Sequence, residues 1–461
     1  MFSKEIYRNR RARLAQQVSS GLVFLPGHPT SPINFADNVY PFRQDSTFLY
    51  FGGPSVPGLA MLVDCDANRS LLFGREADAD EVLWCGSSPA LEHWAQRAAF
   101  DECLPLTDLE AQLQTARRQG RSIHFLPPYR ADQVLLLSRL LEISPDQVTP
   151  QASPDLIRAV VTQRSVKTDE EIAEIEIALG ICRGMYQAVT AAPLYDQAPV
   201  EIVGRMAAVV ASRDSRFAFA PIVTPHGDIL HGGVGPEPLG DDGLLIVDIG
   251  AESPRGYASD ITRTLPISGH FDTRQRELYE IVLKAQKTAI AAIAPGKRFL
   301  DLHLLAAEVI CHGLQELGLM QGDADEALAE GAHALFFPHG LGHMLGLDAH
   351  DMEALGEDWV GYDDQTRRQA QFGLAALRLG RKLAPGFVVT VEPGIYFNAR
   401  LIAQWRAEGR AEAFINYEKL AAYEGIGGIR IEDDIVVTES AGRVLGPTIP
   451  KSLATVEASL K

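Results

Sequence analysis

The chain is short of the features that mark most specialised classes. It carries five cysteines in 461 residues (Cys65, Cys85, Cys103, Cys182 and Cys311), odd in number, widely spread and never in a CxxC pair. That excludes a disulfide framework and a thiolate metal site, and it fits a reducing, cytoplasmic compartment. Basic residues are outnumbered 42 to 60, giving a net charge of −18. An electrostatic nucleic-acid binder is thereby excluded, because phosphate contact needs a basic face. The one dense basic run, Arg8–Arg13 (RNRRAR), lies among Ile6, Leu14 and Val18 at helical spacing and reads as a solvated helix face. No run of eighteen apolar residues exists to span a membrane. Residues 1–30 show no apolar core with a cleavage site, so no signal peptide is expected. GxGxxG, GK[ST] and GxSxG are all absent, which removes the usual entry points to dinucleotide, P-loop and nucleophile-elbow chemistry.

What is present divides in two. Up to about residue 160, short apolar runs alternate with turns: 21–27, 59–65, 70–74 and 122–128 predict strands, and 91–100 and 133–143 predict helices. That alternation predicts a smaller α/β domain over 1–160. Thr168 followed by Glu171 reads as a capping box, and Ile172, Ile175, Leu179 and Cys182 recur at helical spacing. A long helix there opens a second domain, 165–461. Helices over 275–293 and 300–318 mix with β-rich runs at 243–250, 386–396 and 428–438, so this domain is expected to be α+β.

Each β-rich run carries an acid among apolar neighbours: Asp248, Glu392 and Glu432. An ionised acid buried without a partner is expensive, so each needs a cation, a hydrogen-bond network or exposure. Asp260 joins them. Asp248 and Asp260 lie six residues either side of Pro254, and a hairpin centred there would set them opposite one another on one face. Two such charges repel unless a metal ion offsets them.

The stretch 336–351, FFPHGLGHMLGLDAHD, adds His339, His343 and His350. His339 and His343 are four apart as in HExxH, but Gly340 holds the place of the glutamate, so a zincin is excluded. One histidine with four carboxylates is a mostly oxygen donor set, suited to Mn²⁺, or to Co²⁺ and Zn²⁺ by availability. Four carboxylates also carry charge for two divalent ions about 3.5–4 Å apart. Spacing alone does not say which histidine binds, or whether these are core and loop histidines with ordinary partners.

Taken in order, VDIGAE…GYASDITRT, HGLGHMLGLDAHD, LAPGFVVTVEPGIY and GIRIEDDIVVT resemble the Xaa-Pro peptidases of the pita-bread metallopeptidase family, prolidase and aminopeptidase P. RRARL (10–14) and YPFRQDSTFLYFGG (40–53) resemble the N-terminal domain those peptidases carry. The resemblance implies a pita-bread catalytic domain with Asp248, Asp260, His343, Glu392 and Glu432 as ligands of a dinuclear centre, most simply Mn²⁺. His231, His339 and His350 would line the substrate side, and Arg430 would pair with a ligand carboxylate. It further implies hydrolysis of the Xaa-Pro bond by a metal-bridged hydroxide, with Glu392 moving the proton, in a homodimer or homotetramer. A catalytically inactive pita-bread binding module is the remote alternative.

Two departures stand out. The family separates its two aspartates by eleven positions and this chain by twelve, and Gly232 stands where a tyrosine commonly follows the histidine at 231. Forty positions separate Glu392 from Glu432, a prolidase-like length with a polar, helix-like insert at 399–414. Arg378 lies where prolidases hold the proline carboxylate, which a guanidinium can grip bidentately. The expectation is therefore an Xaa-Pro dipeptidase, with an aminopeptidase acting on longer peptides with proline second as the alternative.

Overall fold

A computed structural model describes residues 1–460. The chain forms two compact units, one of residues 1–164 with 354–359, the other of residues 165–353 with those from Val360 onward. No helix among the described residues is long and apolar enough to cross a membrane.

The first unit is built on a mixed five-stranded sheet in the order β4-β3-β2-β1-β5. Its strands are β1 (Leu22–Pro26), β2 (Ala60–Asp64), β3 (Arg69–Gly74), β4 (Glu102–Pro105) and β5 (Ile123–His124). Period-two alternation puts Leu22 and Phe24, Ala60 and Leu62, and Leu71 and Phe73 into one core. That core is completed by Leu109 and Leu113 of the helix Asp108–Arg118 and by Leu137 and Leu140 of the helix Ala131–Leu141. The expected strand at 122–128 shrinks to β5, just ahead of Pro127 and Pro128, which have no N–H to donate to a ladder.

The basic run is a solvated face only in part: Arg8 and Arg13 are exposed, Arg10 and Arg11 are not. Within the helix Lys4–Val18, Arg10 and Arg11 are only 4% and 2% exposed. Arg10 donates to the Tyr50 carbonyl at 3.0 Å and lies over the Tyr50 ring. Arg11 donates to the carbonyls of Phe51 (2.8 Å), Ala98 (2.8 Å) and Ala99 (2.5 Å). These carbonyls close the helices Ser46–Gly52 and Leu91–Arg97, ends that attract cations and whose orphan acceptors a forked guanidinium can satisfy.

The second unit opens on the helix Asp169–Val189, with the expected capping box at Thr168 and Glu171 in place. Three antiparallel sheets follow. One is β6 (Ile222–Thr224), β7 (Leu244–Ile249) and β8 (Ile261–Pro266); another is β9 (Val388–Val391), β12 (Asp433–Val437) and β13 (Gly442–Val444). The third pairs β10 (Gly394–Tyr396) with β11 (Gly428–Arg430). Helices Thr273–Ala292 and Phe299–Glu316 pack on each other, and the former also backs several of these strands.

The register of β7 and β8 corrects the expected hairpin. Asp248 pairs with Thr262, not Asp260, and Ile249 pairs with Ile261. Asp260 lies two residues before Thr262, so it keeps the same face of the sheet and meets Asp248 diagonally. The longer turn is absorbed at 253–257, where the Ser253 N–H donates to the Tyr257 carbonyl at 2.7 Å and Gly256 takes φ +84°. Glu174 secures this turn by accepting from the Ser253 hydroxyl and pairing with Arg255.

Candidate metal centre and substrate cavity

The two remaining β-rich runs are each broken where the acid sits. Residues 386–396 split into β9 and β10 around Glu392 and Pro393, and 428–438 split into β11 and β12 around Ile431 and Glu432. At the break each acid's backbone N–H leaves the ladder: Glu392 donates to the Leu341 carbonyl at 2.8 Å and Glu432 to the Thr262 carbonyl at 3.1 Å. An acid inside a greasy strand is therefore explained by a change of pairing partner, which turns both carboxylates towards one pit.

Strand β9 gains a neighbour from the histidine segment. The Thr390 N–H donates to the His343 carbonyl at 3.0 Å, and Leu345 donates to Val388 at 3.0 Å. Gly342 permits this approach, since a Cβ there would stand 2.1 Å from the Thr390 carbonyl oxygen. His343 is thus carried beside the acids. One ligand atom from each of Asp260, His343 and Glu432 falls within 4.8 Å of the other two, all three residues being buried. His343 Nε2 is 3.6 Å from Asp260 Oδ2 and 3.5 Å from Glu392 Oε1. Asp248 turns one oxygen to Arg430 at 2.7 Å, while its Oδ1 has no hydrogen-bond partner among the described residues.

The electrostatics fit a cation. Burial, and then repulsion from Glu432, Asp248 and their neighbours, holds Asp260 well above the usual carboxylate range. Glu432 is raised well above its ordinary value by burial and by Glu392 and Asp248. Burial is the largest cause lifting Glu392 to about 7, and Asp248 adds to it against the opposing charge of Arg430. His343 is pushed the other way, well below its ordinary value, by burial and then by His350. A neutral imidazole beside crowded carboxylates is the donor chemistry that a hard divalent ion takes.

These residues line a cavity of about 980 Å³ that also receives His231, His339, His350, Arg378 and Arg430. His231 is exposed in its wall. His339 meets the Tyr396 hydroxyl at 2.8 Å, and burial draws its pKa down to about 3. His350 Nδ1 lies 2.5 Å from Glu353 Oε2, and Arg378 Nε reaches the same oxygen at 3.4 Å. Arg430 donates to the Tyr396 hydroxyl at 3.0 Å and to the Thr262 hydroxyl at 3.2 Å, and Thr262 in turn donates to Glu432 at 2.6 Å.

Four of these partners were not singled out from sequence. Tyr396 lies four residues beyond Glu392, and Asp434 two beyond Glu432, each on the face that period two assigns to the acid. Asp434 is fully buried and accepts from the Asp260 N–H at 3.0 Å. Thr262, opposite Asp248, needed the true register, and Glu353 needed the loop.

The comparisons with known proteins bear on the family. The profile described as metallopeptidase family M24 matches residues 173–439, and that described as the aminopeptidase P N-terminal domain matches residues 7–124. The chain belongs to metallopeptidase family M24. Within this pita-bread family it is 34% identical over 442 residues to a probable Xaa-Pro aminopeptidase of Fusarium vanettenii, covering 94% of this chain and 90% of the relative. Aminopeptidase P from Escherichia coli with the inhibitor Pro-Leu is 29% identical with a TM-score of 0.80, covering all of this chain and 98% of that one. Pseudomonas aeruginosa aminopeptidase PepP is 27% identical with a TM-score of 0.81 over the same shares. M24 membership implies divalent metal ions, and the relatives are named for hydrolysis of Xaa-Pro bonds by an aminopeptidase. The names of these relatives favour the aminopeptidase alternative over the expected dipeptidase.

Proposed function

We propose that the chain is an Xaa-Pro aminopeptidase, releasing the residue that precedes proline at the start of a peptide. The observation that carries this reading is one cavity in which buried carboxylates and His343 meet, beside three further histidines, in a chain that resembles aminopeptidases along nearly its whole length. Arg378 supports it too. Its charge is already answered by Glu353, so gripping a proline carboxylate would compete with an existing ion pair. The related E. coli enzyme takes Pro-Leu as inhibitor, and Pro-Leu is what remains when an Xaa-Pro-Leu peptide loses its first residue.

In this reading Asp248, Asp260, His343, Glu392 and Glu432 hold two divalent ions, and the oxygen-rich set favours Mn²⁺ over Zn²⁺ and Co²⁺. Bound there, the ions supply Lewis acidity that lowers the pKa of water and polarises a carbonyl. The side chains do the rest. Glu392, 3.9 Å from His339, takes a proton from water and passes it to the departing proline nitrogen. His350 or His231 stabilises the developing oxyanion from the cavity wall. Arg430 holds Asp248, Tyr396 and Thr262 in place, and Tyr396 orients His339. The leaving group is the nitrogen of a tertiary amide without an N–H, which requires a dedicated pocket.

The family resemblance further supports a homodimer or homotetramer, which sedimentation would reveal. Mass spectrometry of Mn²⁺-treated Ala-Pro-Leu tests the activity: free Ala with intact Pro-Leu is expected, and an uncut peptide with metal bound would sink the reading.

A further inference from the structure

We infer that Lys167 and Asp351 form a buried clamp that positions the 343–350 loop against the strands that adjoin Asp260 and Glu392. Lys167 Nζ lies 3.0 Å from Asp351 Oδ2, and both side chains are only 1% exposed. Neither lines the substrate cavity. Removing two charges from water is costly, and well-packed apolar residues often serve stability as well or better. Stability is therefore a weak reason for this pair, and its location supplies a stronger one.

Asp351 closes the loop from inside. Its N–H donates to the Met344 carbonyl at 2.9 Å, and its Oδ1 accepts from the Asp348 N–H at 3.4 Å. Gly346 leaves room for the carboxylate, since a Cβ there would stand 2.4 Å from Asp351 Oδ2. The closed loop then touches both sides of the site. Leu345 donates to Val388 of β9, and Ala258, two residues before Asp260, donates to the Gly346 carbonyl at 2.7 Å. His343 and His350, at the two ends of this segment, meet edge to face with ring centroids 4.3 Å apart. Lys167 anchors the far end. Its N–H donates to the Gly386 carbonyl at 2.8 Å, just ahead of β9, and it directly precedes the cap of the 169–189 helix. An ammonium held at both backbone and side chain fixes one carboxylate rotamer, and with it the loop. Lys167 and Asp351 are thus positioning residues for His343, His350 and Asp260. This rests on the peptidase reading for its catalytic consequence, but not for its consequence on metal.

The test is the double variant Lys167→Met/Asp351→Asn, which removes both charges and so spares the interior an unpaired one. Thermal melting, calorimetric Mn²⁺ binding to the metal-free protein and turnover of Ala-Pro-Ala are compared with the native chain. The clamp predicts near-native melting, Mn²⁺ affinity lower by about tenfold or more, and kcat lowered on a similar scale with KM little changed. If the double variant does not fold, Lys167→Gln/Asp351→Asn, which keeps a hydrogen-bonding pair without charge, is read in the same way. Native Mn²⁺ affinity in the folded variant overturns the inference whatever the turnover. Should the native chain cut nothing while the variant still binds Mn²⁺ about tenfold more weakly, the clamp stands and the peptidase reading falls.

Discussion

Metal binding to this chain is expected to release protons, and the carboxylates fix how steeply affinity rises with pH. Glu392, lifted to about 7 chiefly by burial, is protonated in the metal-free fold below neutrality. A divalent ion competes with that proton, so affinity increases with pH until Glu392 is ionised. At pH 6 it retains roughly nine tenths of a proton and at pH 8 roughly one tenth. Each proton displaced changes affinity about tenfold per pH unit, or about 1.4 kcal/mol. Asp260 and Glu432 are raised in the same direction, so they add to the count. His343, shifted downward by burial, is already neutral and releases nothing. Calorimetric titration of Mn²⁺ into metal-free protein, in buffers of different ionisation enthalpy, counts these protons directly. At least about one is expected at pH 6, with fewer at pH 8, and Glu392→Gln should shrink that difference. An affinity unchanged between pH 6 and pH 8, with no proton release, would refute the reasoning.

Other consequences follow from single side chains. Arg430→Met strips a shared donor from Asp248, Tyr396 and Thr262 in the interior, so denaturant melts should show a loss of about 3–5 kcal/mol, with Mn²⁺ affinity down about 10–100-fold. Arg11→Met leaves the carbonyls of Phe51, Ala98 and Ala99 without their donor, a loss of about 1–3 kcal/mol of unfolding free energy with Mn²⁺ affinity unaltered. Arg378→Met should lower kcat/KM for Ala-Pro and Ala-Pro-Ala by similar factors. A loss confined to the dipeptide would instead identify Arg378 as a proline-carboxylate clamp.

The parts of the fold that local chemistry dictates were legible in the sequence. The capping box at Thr168 and Glu171 forms as its spacing requires, because both partners lie within one helical turn. Short apolar runs bounded by turns located β1, β2 and β3. Long-range pairing was harder. The register that sets Asp248 against Thr262 depends on how the 253–257 turn folds around Glu174, a residue some eighty positions upstream. Arg10 and Arg11 looked like solvated charge because nothing local reveals that two distant helix ends await donors. The acids at Glu392 and Glu432 stood out, yet the reason for them, a change of partner strand beside each, lies in tertiary structure. Glu353 and Asp351 follow a loop whose path no periodicity encodes.

The central claim is the cleavage of Xaa-Pro bonds in peptides longer than two residues, and side-by-side turnover of Ala-Pro and Ala-Pro-Ala by the Mn²⁺-reconstituted chain tests it most directly. The account predicts a higher kcat/KM for the tripeptide, with free Ala and Pro-Ala as products. A clear preference for Ala-Pro would contradict it and return the chain to the dipeptidases.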